Sequence, residues 1–152
     1  MAVSTLAVTP YLLPATTHSY LQRSAESLHE AITATDAASR YSFAHVAALR
    51  AAAALIAARS VPSASGRRRQ RNAWILLSEA APELADWSGF FAAGAAKRAA
   101  AEAGSTRAVS QAEADALVRS ADQFLAVIEQ ALGLVPHVSA QNESAWRAER
   151  SA

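Results

Sequence analysis

Residues 36 to 60 constrain the fold of this chain more than any other stretch. The stretch is rich in alanine, which has the highest helix propensity, and it carries little charge beyond its first turns. Asp36 is a natural N-cap, and Arg59 with the Pro62 that follows is typical of a helix end. We therefore predict one long helix. Because small side chains let neighbouring backbones approach closely, we expect other helices to surround it.

The larger apolar side chains of this helix predict its buried face. At about 100° per residue they cover an arc of about 140°, which is typical of a helix packed on a core. The stripe comprises Phe43, Val46, Leu49, Ala53 and Ile56.

Two polar side chains of the same helix are candidate functional residues. His45 lies at the edge of the stripe, where it is either a packed histidine with one bonded ring nitrogen or a functional group. Arg50 lies within the stripe, where an unpaired charge is costly. We expect Arg50 either to reach the surface, to face a cavity that takes an anion, or to form a buried ion pair with Asp86, Asp122 or Glu79.

The flanking segments predict further helices. A first helix should run from about residue 16 to about residue 35, with an apolar stripe of Tyr20 or Leu21, Ala25, Leu28 and Ile32. A last helix should begin at the capping box formed by Ser110 and Glu113 and end at Gly133. Its stripe is formed by Leu117, Ala121, Phe124, Ile128 and Ala131.

The segment from about residue 70 to residue 104 contains a proline within a helical pattern. We expect a short helix that ends near Ala80 and a longer one with Pro82 in its first turn, or else one kinked helix. Gly89 and Gly94 leave room for close helix contact, and we expect the aromatic residues of the segment to lie in the core: Trp74, Trp87, Phe90 and Phe91.

These segments together predict an all-α fold, an up-and-down bundle of four main helices with one helix split or kinked near Pro82. The length of 152 residues suits a single domain. We expect an arm over residues 1–15, the bundle over residues 16–133 and a loose tail over residues 134–152. Trp146 in that tail either folds back onto the bundle or contacts something else.

Composition excludes several classes of protein. The chain has no cysteine, which excludes disulfides and thiolate metal sites and favours the reducing cytoplasm. No apolar run approaches the roughly 18 to 20 residues of a membrane span, because His45 and Arg50 interrupt the longest one. Glu26 and His29 have the Glu-x-x-His spacing of carboxylate metal sites, but no second copy exists. We therefore expect no membrane association, metal or cofactor.

The net charge of +1 means that any nucleic-acid binding must depend on a local patch. The one concentrated patch follows the central helix, and Asn72 comes directly after it; its residues are Arg67, Arg68, Arg69 and Arg71. These side chains have the chemistry to contact phosphate at the start of a helix. A solvated basic loop without a ligand is the alternative.

The stretch from Arg40 to Ala51, RYSFAHVAALRA, resembles the second core helix of HEPN domains (higher eukaryotes and prokaryotes nucleotide-binding). Together with the later segments RNAWILL and APELADWSGFFAAGAAKRAA, the chain is similar to an actinobacterial branch of that superfamily over residues 17–133. The resemblance implies a compact helical bundle, often dimeric. It also implies a connection with RNA cleavage, toxin–antitoxin pairs and the binding of nucleotides or RNA.

Catalytic members of that superfamily carry an arginine, a polar residue and a histidine a few positions further on. Arg71 and Asn72 begin such a motif here, but Leu76 and Leu77 stand where the histidine is expected. Arg40 and His45 have a suitable separation, yet they lie in the earlier helix and about 140° apart around it, so one phosphate reaches both only if a second subunit contributes.

The expected function is therefore a non-catalytic binding or assembly module that forms a homodimer and takes RNA or a nucleotide through the basic loop. One alternative is a metal-independent ribonuclease or toxin that uses Arg40 and His45, or Arg71 and Asn72. The other is a purely structural module whose partner is an antitoxin or another protein. The candidate anion-binding residues are Arg50, Arg67, Arg68, Arg69, Arg71 and Asn72.

Overall fold

The computed structural model describes residues 12–59, 72–105 and 107–138. Most of the expected N-terminal arm lies outside these residues. So do the four arginines of the basic loop and Trp146.

The described residues form six α-helices and one short 3-10 helix, and they contain no strand. The prediction of an all-α fold is confirmed. The helices are α1 (Ala15–Thr33), α2 (Ala37–Arg59), α3 (Ala73–Ala80), α4 (Ala85–Ala93), α5 (Ala95–Glu102) and α6 (Gln111–Ala131), with the 3-10 helix at Pro82–Leu84.

The long alanine-rich helix α2 lies at the centre of the fold. It packs against α1, α3, α5 and α6. Asp36 caps its start by accepting a hydrogen bond from Ser39 N at 2.9 Å, and Arg59 is its last residue. The predictions of one continuous helix, of its N-cap and of its enclosure by neighbours are confirmed.

The prediction of the buried face of α2 is wrong. The stripe from Phe43 to Ile56 is only partly buried. The opposite face is the one fully enclosed, and it consists of Ala44, Ala47, Ala48, Ala51, Ala52 and Leu55. The physical reason is the close packing of neighbouring helices on α2, since only small side chains fit between backbones that nearly touch.

Helix α1 shows this close packing directly. Thr17 Oγ1 donates to the carbonyl of Ala54 at 2.9 Å, and Ser24 Oγ donates to the carbonyl of Ala47 at 2.7 Å. From Thr17 to Ser24 the chain advances seven residues along α1, while the partner on α2 moves back seven residues, from Ala54 to Ala47. The two helices are therefore antiparallel. The backbones must be close, because short hydroxyl side chains span the gap between them.

The α1 face that packs on α2 therefore differs from the predicted apolar stripe. The buried residues of α1 are Thr17, Ser24, Ser27, Leu28 and Ala31. Of the predicted stripe only Leu28 is fully buried, while Ile32 has 45% of its surface exposed. The prediction was wrong because the small polar face, and not the apolar one, allows the close approach to α2.

The segment between α2 and α6 is split as predicted near Pro82, which occupies the first turn of the 3-10 helix. A second break at Gly94 separates α4 from α5 and was not predicted. The described residues therefore contain six α-helices, one more than the four main helices with one split helix that we expected. The prediction that all four aromatic residues of the segment lie in the core is wrong for Phe90, which is 51% exposed.

Helix α6 matches its prediction closely. Ser110 and Glu113 form the capping box, with both hydrogen bonds at 3.1 Å. The predicted stripe is buried through Ile128, and Ala131 is partly buried. Gly133 has φ of 80° and ends the helix.

By length and composition alone, α2 is the one described helix apolar enough to cross a membrane. Half of that stretch is buried within the fold. This is the character of a core helix in a globular domain, and the helix is weak evidence for a membrane span.

Candidate functional site

His45 is a packed residue at the junction of α2 with α3 and α4. Its side chain is 1% exposed, and the rings of Trp74 and Phe91 approach it edge-on with centroids 6.0 and 6.2 Å away. His45 Nε2 lies 3.0 Å from the carbonyl oxygen of Phe91. Because a carbonyl only accepts, Nε2 must carry the proton of the neutral ring.

The other ring nitrogen of His45 is therefore a lone-pair acceptor. His45 Nδ1 is buried and has no hydrogen-bond partner among the described residues. Burial lowers the pKa of His45, and the bond to Phe91 opposes this effect only in part. The lowered pKa favours the neutral ring, and the side chain is closed off from solvent, which agrees with a packing role.

The side chain of Arg40, on α2, contacts both α1 and α6. Its Nη1 forms an ion pair with Asp115 Oδ1 of α6 at 2.5 Å. Its Nε and Nη2 donate to the carbonyls of Ala31 and Ala34 at 3.2 and 2.7 Å. These carbonyls belong to the last turn of α1 and its C-cap, where helix carbonyls lack intrahelical partners. The donors of Arg40 are thus used in holding the end of α1 to α6.

The structure does not bring Arg40 and His45 together. Arg40 contacts α1 and α6, whereas His45 contacts α3 and α4. This agrees with the expected separation around the helix. The two residues therefore do not form one phosphate-binding and proton-transferring pair within this chain.

Arg50 has partners other than the carboxylates that we expected. Its Nη1 donates to Ser27 Oγ at 2.7 Å and to the carbonyl of Arg23 at 3.5 Å. No ion pair within the described part of the chain includes Arg50, and Asp122 pairs with His137 instead. Arg50 therefore fastens the partly exposed edge of α2 to α1.

A crevice of about 270 Å³ opens beside His45. Tyr41 and His45 of α2 form part of its wall, and Phe90, Gly94 and Lys97 face them from α4, α5 and the break between these helices. Tyr41 Oη forms no hydrogen bond to a described residue. The crevice thus combines an exposed aromatic ring with a hydroxyl, and these groups can stack on and hydrogen-bond a planar ligand.

Gly94 explains why this crevice exists. A Cβ atom at this position would lie 2.8 Å from Tyr41 Oη and 3.7 Å from His45 Cδ2. Any side chain here would push α5 away from α2 or displace the tyrosine. Glycine therefore permits the close approach of the α4–α5 break to Tyr41.

Ion pairs surround the mouth of the crevice. Lys97 pairs with Glu113, and this contact raises the pKa of Lys97. Burial raises the pKa of Tyr41; the charge of Lys97 acts to lower this pKa, and the charge of Glu113 acts to raise it. On the neighbouring turn, Glu102 accepts from Ser42 and Arg98, each at 2.9 Å. The crevice therefore has charged groups of both signs at its rim.

Asn72 acts locally in the described structure. Its side chain accepts a hydrogen bond from Trp74 N at 2.8 Å and so caps α3. The ring of Trp74 stacks on Phe91 with centroids 5.1 Å apart, and Phe91 lines the crevice. Asn72 thus connects through Trp74 to Phe91 in the lining of the crevice.

The crevice residues Tyr41, Gly94 and Lys97 were not predicted as a site. Tyr41 and Lys97 lie more than fifty positions apart in sequence, and no motif connects them. The signal available in the sequence was the aromatic pair Phe90 and Phe91 between Gly89 and Gly94. Among the described residues no group of three or more His, Asp or Glu suits a metal ion.

Comparison with protein-family models finds one match, to the SAV_6107-like HEPN family over residues 31–129. No curated protein and no solved structure matches the chain. The matched range begins in the last turns of α1 and ends in the last turn of α6. It therefore includes α2, the crevice and the split segment.

Proposed function

Because the chain belongs to the SAV_6107-like HEPN family, we propose that it serves as a non-catalytic helical module for binding or assembly. We further propose that its ligand is RNA or a nucleotide and that the module forms a homodimer. Since a chain without cysteine suits a reducing compartment, we place it in the cytoplasm.

The state of the two candidate catalytic residues is the observation that carries this proposal. Metal-independent RNA cleavage needs a proton-transferring group at the 2′-hydroxyl and a cation at the phosphate. His45 is 1% exposed, and its Nε2 is bonded to a backbone carbonyl. Arg40 is bonded to Asp115 and to two carbonyls on another side of α2. Neither group is available to a substrate in this arrangement.

The crevice supports a ligand with a base and a phosphate. Phe90 offers an exposed ring on which a base can stack, and Tyr41 Oη offers a hydrogen-bonding group. Arg71 precedes Asn72, whose neighbour Trp74 packs on the crevice floor. We therefore propose that the crevice contacts a base of the RNA, and that the arginines that precede Asn72 in the sequence contact its phosphates.

Binding of a fluorescently labelled single-stranded RNA tests this proposal. Replacing Arg67, Arg68, Arg69 and Arg71 together with alanine should weaken binding and flatten the dependence of affinity on salt. A control variant that replaces Arg23, Arg107 and Arg119 removes three exposed cations but leaves the loop intact. Equal affinities for the loop variant and the parent protein would contradict the proposal. Phe90→Ala should weaken binding without changing the salt dependence.

Incubation with labelled RNA separates this proposal from the ribonuclease alternative. The parent protein should leave the RNA intact. Cleavage that is lost in both His45→Ala and His45→Gln, with unfolding temperatures near that of the parent, would show that the module is an enzyme.

Self-association is tested by light scattering during size-exclusion chromatography. The proposal of a homodimer is supported by the exposed apolar side chain of Ile75 on α3, which is 53% exposed and does not line the crevice. A mass of one chain at all concentrations would contradict it. Absence of RNA binding at low salt, with a co-purified antitoxin or other protein, would favour a purely structural module.

A further inference from the structure

A groove separates α1 from α6 along one side of the fold. Both helices pack closely on α2, but they contact each other far less. The groove contains two neighbouring cavities of about 270 and 190 Å³, and Ile32 lines both of them. We call this feature the α1/α6 groove. Its α1 wall is formed by Leu21, Ala25, Leu28 and Ile32, and its α6 wall by Asp115, Val118, Asp122, Leu125 and Glu129.

The spacing of these wall residues is that of a helix-packing surface. Both walls advance in alternating steps of three and four residues, which is the pattern of a coiled-coil seam. On α1 this wall is the predicted apolar stripe, of which only Leu28 is fully buried. Helices α1 and α6 thus line the groove with residues at coiled-coil spacing, and no described helix occupies it.

The acidic residues of the α6 wall follow the same period. Asp115, Asp122 and Glu129 recur every seven residues. Asp115 is paired with Arg40, and the other two carboxylates contact His137. The acidic groups of the groove are therefore paired within the chain, and the rest of its lining is mostly apolar, with His29, Arg40 and His137 as the other polar residues.

The chain enters this groove after α6. His137 N and Nδ1 contact Glu129 Oε1 at 3.1 and 2.5 Å, while His137 Nε2 contacts Asp122 Oδ1 at 2.6 Å. Asp122 lies two turns before Glu129 on α6, so His137 reaches back along that helix. Val138, the last described residue, is exposed and lines the larger cavity. The segment that we expected to be loose from residue 134 is thus held to α6 as far as Val138.

We propose that the residues after Val138 continue along the α1/α6 groove, and that Trp146 occupies the cavity lined by Ile32, Arg40, Asp115 and Val118. Fourteen residues follow Val138 in the sequence, and Trp146 is the only aromatic residue among them. The groove is therefore an intramolecular docking surface, and its occupant is the chain's own C-terminal segment.

The distances agree with this placement. Eight positions separate Trp146 from Val138, and a chain of that length can span up to about 26 Å when extended. The two α6 turns from Asp122 to Asp115 span about 10 Å. Trp146 then reaches the level of Arg40, whose guanidinium can lie against the indole face. Ile32, which is 45% exposed, would lose most of its contact with water.

Disulfide trapping tests the proposal, because the chain has no cysteine of its own. Ile32→Cys combined with Ala145→Cys places one thiol in the groove and one beside Trp146. Ile75→Cys combined with Ala145→Cys is the matched control, since Ile75 has a similar exposure but lies on α3. In dilute protein, the groove pair should oxidise within one chain at least about tenfold faster than the control pair. Adding Trp146→Ala should remove this difference.

Two outcomes would overturn the proposal. Equal rates for the two cysteine pairs would show that the segment has no preference for the groove. Disulfide-linked dimers of the groove pair in dilute solution would show that the occupant comes from a second copy. Hydrogen exchange provides a measurement without substitutions: ending the chain after Val138 should speed exchange in the groove-facing turns of α1 and α6 and leave α3 unchanged. Unchanged exchange in α1 and α6 would also contradict docking.

Discussion

His137 makes the stability of this fold depend on pH in a predictable direction. Its imidazole lies between Asp122 and Glu129, with Asp122 only 5% exposed at its side chain. The hydrogen bond to Asp122 is the main reason that the pKa of His137 is raised to about 9, from 6.5. Burial opposes this rise, and Glu129 adds to it. The folded state therefore prefers the protonated histidine.

The size of the effect follows from the rise in pKa. A change from 6.5 to about 9 corresponds to about 3 kcal/mol in the free energy of unfolding. Because the side chain is 29% exposed, solvent screens part of this interaction, and we expect about 2 kcal/mol. A raised pKa in the folded state stabilises fully below pH 6.5, and the stabilisation is lost as the pH rises through 9.

Urea unfolding followed by circular dichroism measures this contribution. The difference in free energy of unfolding between the parent and His137→Gln should be largest at pH 6 and should nearly vanish by pH 10. His29→Gln is the matched control, because His29 lines the same groove from α1 but is exposed and forms no ion pair in the described structure. A His137→Gln difference that stays constant between pH 6 and pH 10 would refute the reasoning.

Three further substitutions test the packing around α2. Gly94→Ala should destabilise the fold by about 1 to 3 kcal/mol because its Cβ would lie 2.8 Å from Tyr41 Oη, and Tyr41→Phe should restore much of the loss in a thermal unfolding cycle. Ser24→Leu should cost more than Ser24→Ala, about 3 against about 1 kcal/mol in urea unfolding, since a larger side chain would force α1 away from α2. Arg40→Ala should lower the free energy of unfolding by about 2 kcal/mol. A double-mutant cycle with Asp115→Asn should show that the two residues are coupled; additive losses of stability would contradict the ion pair between Arg40 and Asp115.

The features that could be predicted from sequence are those that depend on residues adjacent in the chain. The capping box of Ser110 and Glu113 defines the start of α6 within four positions. Asp36 and Gly133 likewise act on the turns beside them. Helix propensity and end signals depend on a few consecutive residues, and for this reason the all-α fold and the bounds of α2 and α6 were predicted correctly.

The candidate site could be predicted only in part. The packed state of His45 was one of the two interpretations, because a histidine beside an apolar stripe is commonly buried. The crevice around Tyr41 could not be predicted, since it depends on a break at Gly94 that brings Lys97 close to α2. That break follows from the contact between helices and has no local motif.

The sequence by itself determined that this chain is helical, where most helices begin and end, and that the longest one is central. Only the tertiary structure decided which faces are buried. An apolar stripe shows that burial of one helix face is favourable, but it does not show which neighbouring helix packs on that face. Here the hydroxyls of Thr17 and Ser24 bond to α2, and the alanine face is enclosed. The pairing of His137 with Asp122 also depends on the turn after α6.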